Sequence, residues 1–173
     1  MINEIPSIRL AGIVRESIVD GPGIRFVIFC QGCPHHCFNC HNQVTHDFNG
    51  GYDCGIDRIL SAVDENPLLS GVTFSGGEPA CQPGAFAALA KEIKKRNLDI
   101  IMYSGYTFEE LFEKSRTEHD MADLLENIDI LVDGRYEDSL RDLTLLFRGS
   151  SNQRVIDVKK SLRSGAAVMS DKF

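Results

Sequence analysis

Positive charge, long apolar runs and a leader-like N-terminus are what this 173-residue sequence has least of. Eighteen Lys and Arg stand against 25 Asp and Glu, a formal charge of −7. Binding to nucleic acid or an anionic membrane draws on clustered cations that release counterions, so neither is an expected partner. The one dense basic run, "KEIKKR" from Lys91 to Arg96, falls at an expected helix C-terminus, where cations complement the helix dipole. The longest apolar stretch, "FVIFC", is far short of the roughly 20 residues that span a bilayer. "MINEIPSIRL" has no basic segment followed by an apolar one, so the expected location is the cytoplasm. There is no internal repeat, low-complexity tract or linker, which makes residues 1–162 one expected domain. Residues 163–173 carry no periodicity and are expected to fray.

In a reducing compartment, six cysteines point to metal or redox chemistry rather than to disulfides. Four of them, Cys30, Cys33, Cys37 and Cys40, fall within eleven residues.

Strand and helix patterns alternate around them. "IRFVIFC" (24–30) reads as a buried strand, preceded by the extended "LAGIVRESIV" and the turn "DGPG". Asp57 is placed to cap a helix carrying Ile59, Leu60 and Val63 and stopped by Pro67. "SGVTFS" (70–75) is the next strand. A helix opening at Pro83 then buries Phe86, Leu89, Ala90 and Ile93. "IIMYS" (100–104) is a strand, Thr107 and Glu110 form a capping box, and a helix over 121–126 leads to the strand "IDILVD" (128–133). "LLF" and "RVIDV" are late extended segments. The expected fold class is α/β, a mainly parallel sheet covered by helices. A full eight-unit barrel takes about 250 residues, so only an incomplete βα barrel fits. Chemistry in such folds gathers at the C-terminal strand ends, where the cysteine loop, "SGGEP", "SGY" and "VDGRY" all lie.

A closed zinc site wants four ligands, typically two C-x2-C pairs well separated. Cys30/Cys33 and Cys37/Cys40 are only three residues apart, which suits a loop wrapped around an iron–sulfur cluster. Whether three thiolates serve or four turns on Cys30, which ends an apolar run and reads either as core or as a fourth ligand. His35, His36, His41 and His46 crowd the same loop and read as solvated side chains, with ligation by one of them the alternative. Cys54 and Cys81 have no partner at motif spacing.

The C-x3-C-x2-C spacing of Cys33, Cys37 and Cys40 resembles the cluster loop of the radical S-adenosylmethionine (SAM) superfamily. "DGPGIR" and "GCPHHCFNCHN" resemble the activating enzymes of glycyl-radical enzymes. "TFSGGEP", "MYSGYTFEEL", "LVDGRY" and "FRGSSNQRVIDV" are similar to the short branch of that group, which activates anaerobic ribonucleoside-triphosphate reductase. The resemblance runs over residues 8–162 with the motifs in order.

It implies a 4Fe–4S cluster on Cys33, Cys37 and Cys40, the catalytic centre, with one iron open to SAM. It further implies SAM contacts from Gly76, Gly77 and Glu78, the last receiving the ammonium group, and from Ser104. Asp133 would bind a ribose hydroxyl or help hold a cation, and Arg135 would meet the carboxylate. The aromatic residue many members carry before the last cysteine is here Asn39, leaving backbone groups of Asn39 and His41 to contact the adenine. The implied partners are a large glycyl-radical enzyme, the anaerobic reductase, and an electron donor such as a flavodoxin. Three alternatives are an activator of the pyruvate formate-lyase type, a radical SAM enzyme acting on a small molecule, and a non-catalytic metal module using all four cysteines.

Overall fold

A computed structural model describes residues 5–173. Seven strands form one sheet among these residues: β1 (Ser7–Ser17), β2 (Arg25–Cys30), β3 (Tyr52–Gly55), β4 (Gly71–Gly76), β5 (Asp99–Ser104), β6 (Ile130–Asp133) and β7 (Arg154–Asp157). Their spatial order is β3-β1-β2-β4-β5-β6-β7. β2, β4, β5 and β6 run parallel, while β1, β3 and β7 pair antiparallel at the flanks. The sheet is therefore open, a partial barrel whose parallel centre is the expected one. Register aligns the tips that matter: Cys30 faces Gly76 across β2/β4, and Ser104 faces Asp133 across β5/β6.

Strand alternation sorts side chains onto two faces. Phe26, Ile28 and Cys30 share one face with Val72, Phe74, Ile100, Met102 and Leu131. That face is buried under five helices: α1 (Ile56–Asp64), α2 (Pro83–Lys94), α3 (Phe108–Ser115), α4 (His119–Asn127) and α5 (Val158–Ser164). The apolar stripe Phe86, Leu89, Ala90 and Ile93 of α2 is wholly buried there. The opposite face carries a smaller cluster of Ile101, Ile130, Val132 and Val155, against which Tyr103 and Phe173 pack. At the N-terminal end of that face Arg25 is fully buried. Its Nε donates to Thr73 Oγ1 at 2.7 Å, its Nη2 donates to the Val72 carbonyl at 2.8 Å, and Asp99 Oδ1 lies 2.7 Å away.

Several expectations change. The helix after β3 begins one residue before Asp57, with Gly55 at its cap, so Asp57 complements the helix dipole from inside the first turn. "LLF" forms no strand and lies in a loop that leaves Leu143 and Leu146 exposed. "RVIDV" does form β7, then turns directly into α5, whose Lys160 amide is capped by Asp157. Residues 163–173, expected to fray, return to the sheet edge. The outer edge of β7 needs partners for its backbone groups: the Asp157 amide donates to the Val168 carbonyl at 2.9 Å, and the Ser170 amide to the Val155 carbonyl at 2.8 Å. Phe173 closes this return against Phe147, ring centroids 5.1 Å apart. The capping box of Thr107 and Glu110 stands as expected.

Candidate metal centre

Beyond Cys30 the chain leaves the sheet as a loop tied at its base. The Gly32 amide donates to the Thr45 carbonyl at 2.8 Å and the Cys33 amide to the His46 carbonyl at 3.1 Å. The Gln31 side-chain amide donates to the carbonyls of Val44 and Asp47. Within the loop His36 and Asn39 take positive φ, 48° and 54°, turning the chain between successive cysteines. Cys33, Cys37 and Cys40 thereby line one cavity of about 510 Å³ of empty space, together with Gly76, Gly77, Ser104 and Tyr136.

Cys30 is on the other side. It is fully buried in the helix-covered core, sharing a strand face with Phe26 and Ile28, while the three loop thiols face the cavity. Burial pushes the Cys30 thiol well up and also raises those of Cys33 and Cys37, so a metal taking these two must displace their protons. Among the described residues no group of three or more His, Cys, Asp or Glu is placed to hold a single metal ion. The three thiols are instead spread around an opening.

The "SGGEP" turn supplies the opposite wall. Gly76 has φ 99°, and a Cβ there would fall 2.4 Å from the Cys30 amide nitrogen. A Cβ on Gly77 would fall 2.3 Å from the Gly32 carbonyl oxygen. Both glycines are needed so that this turn can lie directly on the root of the cysteine loop. Two backbone bonds seal the contact, from the Gly77 amide to the Cys30 carbonyl and from the Glu78 amide to the Gly32 carbonyl, each 2.8 Å.

The remaining expected residues divide. Ser104 lines the cavity, but its hydroxyl donates to Glu78 Oε1 at 2.9 Å. His41 lies on the adjoining groove beside Tyr136, ring centroids 5.2 Å apart. Asn39 is exposed and donates through Nδ2 to Asp138 at 3.2 Å. Arg135 is exposed beside the cavity, its charge drawing the Cys37 thiol down against burial. Asp133 is buried and already engaged: it accepts from the Phe108 amide at 2.7 Å and from Arg154 Nη2 at 2.5 Å. Arg25 sits at the far end of β2 from the cysteines and lines no part of the cavity.

One expectation is overturned and two side chains at the site were not singled out from sequence. His35 is not solvated: its side chain is only 4% exposed and lies against Glu78. Tyr136 and Gln153 line both the cavity and the groove, and no local pattern announces either. Gln153 explains the "RGSSNQR" segment: its side chain accepts from the Gly149 and Ser150 amides and donates to the Gly134 carbonyl, stapling that turn to the end of β6.

Residues 19–156 match the family model described as a 4Fe–4S single cluster domain. A protein named anaerobic ribonucleoside-triphosphate reductase-activating protein, from Salmonella typhimurium, is 34% identical over 146 residues, covering 80% of this chain and 91% of the relative. The chain belongs to this family of reductase-activating proteins. The family's Escherichia coli K12 member is 33% identical over 147 residues, covering 80% of this chain and 91% of its own. Among solved structures, QueE from Escherichia coli aligns with a TM-score of 0.47 at 15% identity, over 58% of this chain and 54% of its own.

An iron–sulfur cluster fits the residues present. Soft thiolates are its usual protein ligands, and three of them border one cavity backed by a wall of glycine without side chains. No helix among the described residues is long and apolar enough to cross a membrane.

Proposed function

We propose that Cys33, Cys37 and Cys40 are the only protein ligands of a 4Fe–4S cluster and that its fourth iron is left to SAM. The observation that carries this reading is the burial of Cys30 in the helix-side core while the other three thiols line the cavity. Held by these three thiolates, the cluster would supply the electron for reductive cleavage of SAM, the chemistry needed to generate a glycyl radical on an anaerobic ribonucleoside-triphosphate reductase. The chain's own residues bind, orient and shield. The backbone of Gly76 and Gly77 offers a side-chain-free wall to the methionine end of SAM. Backbone groups of Asn39 and His41 face the adenine, and Arg135 beside Cys37 offers a cation for the carboxylate. The cavity continues into a groove of about 1380 Å³ of empty space lined by Val19, Leu143, Leu145 and Phe147, which offers room for a protein segment. A reduced flavodoxin is a suitable electron donor.

The test is anaerobic reconstitution with iron and sulfide, then SAM titration of the reduced cluster followed by electron paramagnetic resonance. The expected results are four irons per chain, a SAM-dependent change of the cluster signal, and a glycyl-radical doublet when the reductase is added. A protein that takes zinc instead, or a cluster indifferent to SAM, overturns the reading.

A further inference from the structure

We propose that Glu78 is a positioning residue rather than a ligand contact: through His35 it fastens the cysteine loop to the ends of β4 and β5 before any cluster is present. The proposal rests on the reading of Cys33, Cys37 and Cys40 as the ligands, because it assigns Glu78 the task of setting their loop.

A carboxylate has about four lone-pair sites, and all four of Glu78's are engaged by the protein. Oε1 accepts from the Ala80 amide at 3.0 Å and the Ser104 hydroxyl at 2.9 Å. Oε2 accepts from the Gly105 amide at 2.8 Å and meets His35 Nε2 at 2.8 Å. An ionised carboxylate only accepts, so paired with one the His35 ring nitrogen is the donor in the last contact. Glu78 is 0% exposed, so a ligand ammonium reaching it would have to evict one of these donors and open the packing around it.

The four donors come from three separate stretches of chain, and the His35 contact joins the loop to the strand ends. His35 stands midway between Cys33 and Cys37 and is held on three sides. Glu78 takes its ring nitrogen, the Tyr106 ring lies edge-on at 4.5 Å, and Gly105 packs so closely that a Cβ there would fall 2.3 Å from His35 Cδ2. Glu78 thus grips the loop twice, its amide on the root at Gly32 and its carboxylate on the crown at His35. Ser104 also changes role, since its hydroxyl is spent between Glu78 and the Tyr106 amide. The clamp fixes the chain midway between Cys33 and Cys37, so the loop loses less freedom when metal arrives.

The deciding experiment is amide hydrogen exchange across residues 31–47 in the metal-free full chain, with iron content after reconstitution as a second readout. His35→Ala is expected to speed loop exchange about tenfold or more while leaving the slowly exchanging strand amides unchanged. His35→Gln, which keeps a donor near the position of Nε2, restores most of the protection. Glu78→Gln places an amide where two donors point and loosens the loop in the same way, and adding His35→Ala to it produces no further loosening. Iron loading falls in the same order. The proposal is overturned if His35→Ala leaves loop exchange at the wild-type rate. It is equally overturned if Glu78→Gln keeps loop protection and full iron loading and loses only the SAM-dependent spectral change. Should Glu78→Gln fail to fold, the two His35 variants decide alone. A wild-type protein that takes no cluster sinks the ligand assignment, while exchange in the metal-free chain still decides the clamp.

Discussion

Asp133→Asn separates a structural pin from a cofactor contact. The Asp133 carboxylate is 1% exposed; Oδ2 accepts from the Phe108 amide at 2.7 Å and from Arg154 Nη2 at 2.5 Å, and Oδ1 accepts from Arg154 Nε at 3.0 Å. Asparagine has the same shape but only one accepting oxygen, so its NH2 must face either the Phe108 amide or the guanidinium. Leaving one partner of a fully buried ion pair costs about 3–5 kcal/mol. Here the loss is smaller, because Arg154 is 33% exposed and keeps Glu109 Oε2 at 2.6 Å. What remains is a charge-assisted bond to a buried amide at the start of α3, about 1.5–3 kcal/mol. For a domain of this size each kcal/mol moves the melting temperature by about 2–4 °C, so a fall of about 3–12 °C is expected. Calorimetry on the metal-free chain measures it, with Arg154→Met and the double variant completing a cycle in which the two changes are less than additive. A variant that melts with the wild type and loses only SAM binding would refute the assignment of Asp133 as a pin.

Other variants test the site's construction. Cys30→Ala should keep its full iron content and cost about 1–2 kcal/mol of stability, whereas alanine at Cys33, Cys37 or Cys40 should abolish cluster binding; iron loss in the Cys30 variant would favour four ligands. Gly77→Ala drives a methyl group into the Gly32 carbonyl and should cost about 1–3 kcal/mol with weaker iron retention, measured by urea unfolding and metal analysis. Burial raises the Asp129 pKa, but hydrogen bonds from Lys94, Lys159 and the Ile100 amide outweigh it and leave the carboxyl below its ordinary value. Its contribution is therefore fully present above the unfolded value of about 3.9 and lost as pH falls through the folded one. The stability gap between wild type and Asp129→Asn should be constant above about pH 5 and shrink on acidification; a gap that widens in acid would contradict this.

The parallel centre was legible because β2, β4, β5 and β6 are apolar runs punctuated by Gly, Pro and Asp. β3, "YDCG", was not: it is short and lies on the sheet edge, with Tyr52 and Asp53 exposed, so it has no apolar signature. α5 was hidden because "RVIDV" reads as strand throughout, and its cap, Asp157, belongs to both elements. The cysteine spacing pointed directly to the loop whose three thiols line the cavity. The occupancy of Glu78 and Asp133 could not be read, since their partners His35 and Arg154 lie 43 and 21 residues away in the chain. The burial of Cys30 on the helix side follows from the parity of β2, which spacing alone does not reveal.

The buried Arg25 has a consequence for the parallel centre. Its guanidinium reaches Thr73 and the Val72 carbonyl on β4 and Asp99 on β5, so one side chain of β2 ties three neighbouring strands together at the end opposite the thiols. The footing of the sheet is thereby set by an ion pair and hydrogen bonds, while the tips that carry the cysteine loop are set by glycine and backbone contacts.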